Sequence, residues 1–157
     1  MRLKWSKTLP AAYTAMKGFQ DFTDQGELEP ELKELVKIRA SQINGCAHCL
    51  DMHTKDAIAI GETEQRLHVL AAWREAPFYS PRERAALAWC EALTLLPQTA
   101  APDNVYEELE NVFNPKEIVE LTFVITTINS WNRLAVGFRS DVGDYVSHKK
   151  PLTTLIK

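Results

Sequence analysis

Apolar residues recur at helical spacing along most of this chain, and capping residues mark where the helical segments begin and end. A clear example starts at Glu29-Pro30-Glu31, where proline suits the first turn because its missing N–H is not needed there. Apolar residues follow at helical intervals until Asn44-Gly45 ends the segment. The whole pattern predicts six to seven helices, at about 11–24, 29–43, 46–60, 63–73, 81–96, 103–113 and 115–139.

Two of these helices begin with strong local signals. Ser80-Pro81-Arg82-Glu83 and Asn114-Pro115-Lys116-Glu117 each combine a capping side chain, a first-turn proline and a glutamate three residues after the cap. Between these two helices, Pro97 and Pro102 bracket a segment that we expect to be a linker.

The last long helix carries a segment, 121–128, whose β-branched residues could also form a strand. Because it follows a strong cap inside a roughly 25-residue helical pattern, we interpret it as helix. It is apolar on nearly every side, which is typical of a helix buried in a core or between subunits. A chain this small supplies little cover for such a helix, so we expect a homo-oligomer. The tail after Asp141 is expected to be irregular or docked on a neighbour.

Composition and charge fit one globular domain over residues 1–157, with a motif core at about 30–96 and the long C-terminal helix at about 115–139. The chain is 45% apolar and 25% charged, and its net charge is −3. This balance gives no electrostatic footprint for nucleic acid and no basic patch for an anionic membrane. No apolar run reaches the length of a membrane helix, and no apolar stretch follows the basic residues at the start, so we expect a cytoplasmic protein.

The three cysteines are the first sign of chemistry. An odd count in a reducing compartment argues against a structural disulfide framework, yet two of them lie close together in Cys46-Ala47-His48-Cys49. Cys46, Cys49 and His53 are spaced so that they share a narrow arc of one helix face. Asn44-Gly45 places the pair at a helix N-terminus, where a thiolate is stabilised.

This arrangement predicts a reversible dithiol. A Cys-x-x-Cys pair at such a site can close a small disulfide, and His53 can take or relay a proton near neutral pH. Glu34, on the preceding helix, could face the same pocket and orient a histidine. Taken without any family context, Glu34 reads more simply as a solvated or ion-paired residue beside Lys33 and Lys37.

The set formed by Glu34, Cys46-Ala47-His48-Cys49 and His53 resembles the signature of the alkylhydroperoxidase D (AhpD) family, in the carboxymuconolactone decarboxylase-like superfamily. The stretch 128–133 is also similar to small AhpD-like proteins. The resemblance implies an all-α fold, a trimer or hexamer, and peroxidase activity that depends on thiols. It implies that Cys49 attacks the peroxide, that Cys46 closes the disulfide, and that Glu34, His48 and His53 relay protons.

The resemblance leaves two redox functions open. The chain either reduces hydroperoxides itself, with an external thiol or disulfide reductant to reopen the disulfide, or acts as an adaptor that reduces a peroxiredoxin-type partner. The decarboxylase branch of the superfamily works without this cysteine pair, so decarboxylation is disfavoured. Nothing in the sequence indicates a haem, flavin or nucleotide, and we expect no cofactor beyond the Cys46–Cys49 disulfide.

Simpler interpretations stand beside the redox ones. The pair and His53 could bind zinc in a structural module, although such sites typically use two separated pairs of ligands, and Cys90 or His68 would have to complete the set. Cys90 reads as a buried inert thiol, and His68 and His148 read as surface residues. His48 points away from the shared arc of an ideal helix. Three tryptophans are interpreted as core or interface anchors, namely Trp73, Trp89 and Trp131. Asn132 and Arg133 are interpreted as structural groups at a subunit contact.

Overall fold

The computed structural model describes residues 1–151, and every regular element within that range is helical. A short 3-10 turn, Leu70–Ala72, follows the fifth helix. The α-helices are α1 Trp5–Thr8, α2 Pro10–Asp24, α3 Pro30–Ile43, α4 Ala47–Ile60, α5 Glu64–Val69, α6 Pro81–Thr94, α7 Leu96–Thr99, α8 Asp103–Glu110 and α9 Pro115–Phe138. The predicted all-α fold is therefore confirmed.

Both predicted capping boxes are present. Ser80 accepts a hydrogen bond from the Glu83 backbone and Asn114 accepts one from the Glu117 backbone. Each glutamate carboxylate in turn accepts a bond from the backbone N–H of the cap residue. These bonds satisfy backbone groups that the first turn of a helix leaves without partners. Helices α6 and α9 therefore begin at the residues that the sequence indicates.

Three boundaries differ from the prediction. The helix expected to reach residue 96 ends at Thr94, and α7 occupies the start of the expected linker, because Pro97 fits the first turn of a new short helix. The expected helix 63–73 is divided into α5 and the 3-10 turn. The short helix α1 was not predicted, and it is held by Trp5, whose ring lies against Trp131 and Phe138.

Helix α3 is the central element of the core. On one side, Leu32 and Val36 belong to a cluster with residues of α6, α8 and α9, and on the other side Leu35 and Ile38 pack with residues of α4, α5 and α6. A helix enclosed on both sides buries its polar residues as well. Three charged side chains of α3 are consequently buried, namely Lys33, Glu34 and Lys37.

Helix α9 is less enclosed within the chain than its composition suggests. Its inner side, which includes Leu121 and Ile125, is completely buried. On the outer side Val119 is 52% exposed and Phe123 is 41% exposed, so the expectation of burial on all sides does not hold within one chain. Along the part of the chain that the structure describes, no helix combines the length and apolar character needed to cross a membrane.

Buried asparagines tie the end of α3 to α9. Asn44 donates to the side-chain oxygens of Asn129, at 2.9 Å, and Asn132, at 2.8 Å. Asn132 in turn donates to the Ser41 hydroxyl. We expected Asn132 to bind at a subunit contact, and the structure instead places it inside the chain, while Arg133 donates to the Asn129 carbonyl within α9. The network fixes the turn that immediately precedes Cys46.

The Asn114 cap gives a test of this local structure. Asn114→Ala removes the side-chain acceptor of the α9 capping box, and we expect a loss of about 1 kcal/mol in the free energy of unfolding. Urea unfolding followed by circular dichroism measures it. Asn104→Ala is the matched control, since Asn104 is exposed on α8, and it should change stability by no more than about 0.5 kcal/mol. Equal losses in the two variants would contradict the assignment of the cap.

Candidate active site

Cys46 and Cys49 form a disulfide at the N-terminus of α4, with their Cα atoms 5.4 Å apart. Gly45 has a φ of 63°, a left-handed conformation that favours glycine, and it turns the chain from α3 into α4. Cys46 is the N-cap residue, and its Sγ accepts a hydrogen bond from the Cys49 backbone N–H at 3.3 Å. Both sulfurs therefore lie at the helix end whose dipole and free N–H groups favour negative charge.

The surroundings of the three cysteines differ. Cys46 is 1% exposed and Cys49 is 4% exposed, and both pack in the core cluster beside α3. Cys90 is fully buried in α6, lies 3.4 Å from the Val36 carbonyl oxygen, and has its thiol pKa raised to about 12 by burial. The prediction that Cys90 is a buried thiol is confirmed, and its environment keeps it in the unreactive protonated form.

Glu34 and His53 meet across the contact between α3 and α4. The Glu34 Oε2 atom lies 2.8 Å from His53 Nδ1. Because a carboxylate can only accept, Nδ1 carries the proton in this pair and Nε2 is the other nitrogen available for proton exchange. His53 follows Cys49 by four residues, so the two side chains are neighbours along one face of α4. The structure thus brings Glu34 to the cysteine-bearing helix, as the sequence predicted.

The Glu34 carboxylate is only 1% exposed and is surrounded by positive charge. Lys37 Nζ donates to Oε1 at 3.2 Å, and Lys149 Nζ donates to the same oxygen at 2.5 Å. Burial by itself raises the pKa of this carboxyl, but the His53 hydrogen bond and the charges of Lys37, His53 and Lys149 outweigh it and hold the pKa well below its usual range. Glu34 is therefore a buried carboxylate with several partners. Its ion pair with Lys37 confirms one half of the simpler interpretation, and its burial rules out the other half, a solvated residue.

Several residues at this site were not singled out from the sequence. Asp56 is 4% exposed and accepts hydrogen bonds from the Tyr145 hydroxyl, at 2.8 Å, and the Ser147 hydroxyl, at 2.6 Å. Burial, together with the hydrogen bond and charge of Asp56, raises the pKa of Tyr145 to about 12. Helical spacing could have indicated Lys37, which lies three residues after Glu34, and Asp56, which lies three residues after His53. No periodic signal marks Tyr145, Ser147 or Lys149, since they lie in an irregular segment.

His48 is directed elsewhere. Its Nδ1 atom lies 2.7 Å from the Asp141 carbonyl oxygen, so Nδ1 donates to this main-chain acceptor. Residues 141–149, which we call the C-terminal strap, begin at this contact and continue along α4. Residues 141–149 of the predicted irregular tail are thus docked on their own chain. The hydrogen bonds of the described residues do not join His48 to Glu34 or His53.

Glu34, His53 and Asp56 could hold a metal ion, because one ligand atom from each lies within 4.8 Å of the others. This is the group of possible metal ligands that the structure brings together within residues 1–151, and it contains no cysteine. Lys149 Nζ lies against Glu34 and 3.7 Å from Asp56 Oδ2, so an ammonium group already supplies positive charge there. The disulfide-bonded pair and the exposed His68 do not form the zinc site considered above.

The fold and the cysteine-bearing helix together define the class of protein. The sequence profile of the carboxymuconolactone decarboxylase family matches residues 8–92, which include α3, α4 and the whole Glu34-to-His53 motif. The chain therefore belongs to this family. Its resemblance to AhpD-like proteins is confirmed by its similarity to a solved structure that is 42% identical.

Individual relatives span nearly the whole chain. The uncharacterised protein YdfG of Bacillus subtilis is 42% identical over 136 residues, which are 87% of this chain and 92% of the relative. A crystal structure from Agrobacterium tumefaciens, described as a protein of unknown function with a suggested AhpD role in antioxidant defence, is 42% identical. It matches with a TM-score of 0.89 over 92% of this chain and 99% of its own.

A more distant structure shares the fold alone. The debrominase Bmp8 superposes with a TM-score of 0.79 over 88% of this chain and 74% of its own, at 21% identity. Because a protein with this different named activity has the same fold, the fold by itself does not define the reaction, which depends on the side chains of the site.

The charge on Glu34 gives a pH-dependent test. Glu34→Gln leaves the buried Lys37 and the partly exposed Lys149 without their carboxylate, so we expect a loss of about 3 kcal/mol in the free energy of unfolding at neutral pH. The folded-state pKa of Glu34 is lowered from 4.5, so its contribution is present above that value and is lost as the pH falls towards the folded-state pKa.

Urea unfolding of the wild type and Glu34→Gln at neutral pH and near pH 3 measures this difference, which should be smaller in acid. Glu108→Gln is the matched control, since Glu108 is exposed on α8. If the difference in free energy of unfolding between wild type and Glu34→Gln stays constant across pH, Glu34 is not held as a carboxylate in the native state.

Proposed function

We propose that this protein is a thiol-dependent oxidoreductase that reduces alkyl hydroperoxides through Cys46 and Cys49. The observation that carries the proposal is the pairing of these cysteines at the N-terminus of α4, with the Glu34–His53 hydrogen bond one helical turn away. The helix terminus favours a thiolate, which is the nucleophilic form of cysteine. The His53 imidazole can donate and accept a proton, and Glu34 orients it.

The proposed reaction has three steps. The Cys49 thiolate attacks one peroxide oxygen, the O–O bond breaks, and the products are a Cys49 sulfenic acid and an alcohol, which takes a proton relayed through His53. The Cys46 thiol then attacks the Cys49 sulfur, which closes the disulfide and releases water. Two electrons from an external thiol reductant reopen the disulfide by exchange. The order of the two cysteines follows the family pattern, and His48 belongs to that pattern although its ring here faces Asp141.

The low exposure of Cys46 and Cys49 favours a small molecule, rather than a protein, as the first reactant of the reduced pair. Cys46 and Cys49 are 1% and 4% exposed, so a hydroperoxide can reach Cys49 more readily than the active site of a partner protein can. This favours direct peroxide reduction over the alternative, a redox adaptor for a peroxiredoxin-type partner. The cycle needs no resident cofactor, because the dithiol form of the Cys46–Cys49 pair itself supplies the two electrons. It also fits the cytoplasm, where thiol reductants are abundant.

Peroxide consumption by cysteine variants tests the proposal. Adding an organic hydroperoxide to the reduced wild type should consume two thiols per chain, and Cys49→Ser should lower the rate of peroxide loss at least about 100-fold, since the nucleophile is gone. Cys90→Ser is the control and should keep the wild-type rate, because the Cys90 thiol is buried and protonated. Full activity of Cys49→Ser contradicts the proposal. Negligible peroxide loss by the wild type, with rapid disulfide exchange to a peroxiredoxin, establishes the adaptor instead.

We also propose that the protein is a homo-oligomer, a trimer or hexamer by the family resemblance. The exposed apolar surface of α9 extends to a neighbouring residue of α2. Phe22 is 53% exposed, and the centroid of its ring lies 5.2 Å from that of Phe123. Apolar surface of this kind is stabilised when a second copy of the chain covers it. We expect Phe123→Glu to shift the assembly towards monomer in sedimentation velocity, with Glu108→Gln as the control. A stable wild-type monomer at micromolar concentration contradicts the proposal.

A further inference from the structure

The C-terminal strap follows one side of α4 in a fixed register. It begins where the Asp141 carbonyl meets His48, and two residues later the Gly143 N–H donates to Asp51 at 3.3 Å. Lys55 then donates to the carbonyls of residues 143 and 145, at 3.3 and 2.9 Å. The contacted residues of α4 are His48, Asp51, Lys55 and Asp56.

This side of α4 adjoins the side that carries Cys46, Cys49 and His53, because successive residues rotate by about 100° around the helix axis. The strap therefore runs beside the redox site. Its main-chain carbonyls are held by Lys55, so its register does not depend on Lys149 alone.

The strap ends by placing a charge inside the site. Ser147 and Tyr145 both donate to Asp56, and Lys149, two residues after Ser147, reaches Glu34 Oε1. The Lys149 side chain is 37% exposed, whereas that of Glu34 is 1% exposed, so the ammonium group closes the solvent side of a buried carboxylate. An irregular segment thus supplies a specific partner to the Glu34–His53 pair.

The charged and titratable groups around Glu34 come from four parts of the chain. Glu34 shares Oε1 between Lys37 and Lys149 and uses Oε2 for His53. Asp56 and Asp24 add two further carboxylates, at 3.7 Å from Lys149 and 4.0 Å from Lys37. The complete set is Asp24 of α2, Lys33 and Lys37 of α3, His53 and Asp56 of α4, and Tyr145 and Lys149 of the strap.

Removing Lys149 from this set leaves the buried Glu34 and Asp56 carboxylates close together with one fewer cation. We propose that Lys149 is a positioning residue for the Cys46–Cys49 pair, because it holds the Glu34 carboxylate against His53, one helical turn after Cys49, and balances the negative charge of that carboxylate. The inference rests on the proposed dithiol chemistry, but it does not depend on the peroxide being the substrate. Lys149 acts through Glu34, and it does not itself touch the reacting sulfurs.

The expected effect is on thiolate formation. Without Lys149 the negative charge of Glu34 is less compensated, which disfavours a negative sulfur one helical turn from His53, so the reduced pair should need a higher pH to react as a thiolate. A merely structural role for the strap would lower thermal stability without moving that pH dependence.

The test measures the rate at which the reduced protein reacts with iodoacetamide between about pH 5 and 9, on the peptide that contains Cys46 and Cys49. The variants are Lys149→Met, which removes the charge, and Lys149→Arg, which keeps it. Lys150→Met is the matched control, since Lys150 is the adjacent exposed lysine of the same segment. Thermal unfolding of each variant confirms that the chain is folded under the conditions used.

We expect Lys149→Met to move the midpoint of the profile to higher pH and to slow alkylation about three- to tenfold at neutral pH. Lys149→Arg and Lys150→Met should stay within about twofold of the wild type. A Lys149→Met profile that superimposes on the wild type overturns the proposal, and so does an equal shift in Lys150→Met. If the wild type consumes no hydroperoxide, the proposed function fails, while the alkylation profiles still decide the role of Lys149.

Discussion

The Glu34 carboxylate is almost completely removed from water, and protein groups replace the hydration that it loses. A buried charge of this kind is tolerated only when partners surround it, and here His53, Lys37 and Lys149 bind its two oxygens. These partners come from α4, from α3 itself and from the C-terminal strap. One carboxylate therefore connects the central helix, the cysteine-bearing helix and the last described segment of the chain.

The position of this carboxylate follows from the packing of α3. Because the helix lies between two apolar clusters, a charged residue at position 34 is forced into the interior, where its partners must come from other protein groups rather than from water. Helix α4 presents His53 one turn after Cys49. The Asn44–Asn132 contact and the left-handed Gly45 hold the intervening turn, so the sulfurs and the Glu34–His53 pair keep a defined relation.

The same fold occurs in a protein with a different named activity. A debrominase shares the arrangement of helices at 21% identity, so the helical framework does not by itself define a reaction. In this chain the side chains at the start of α4 include two bonded cysteines and a histidine backed by a buried carboxylate. The strap adds a cation from outside the helical framework.

Local signals predicted much of the fold. Both capping boxes, the start of α3 at Pro30 and the end of α4 before Gly61 were predictable because each depends on residues within a few positions of one another. The boundary near Pro97 was wrong, because proline both ends one helix and fits the first turn of the next. The exposed side of α9 was missed as well, because composition shows which residues are apolar but not which of them are buried by other helices.

By itself the sequence determined that the chain is helical, that two cysteines and a histidine share one face of a helix, and that a glutamate lies on the helix before it. These are short-range facts, fixed by helical periodicity and by capping. Only the tertiary structure decided that Glu34 is buried against His53, that His48 faces Asp141, and that Lys149 reaches Glu34 across 115 residues of chain. Contacts between distant segments depend on how helices pack and where an irregular tail docks, and no local periodicity encodes either.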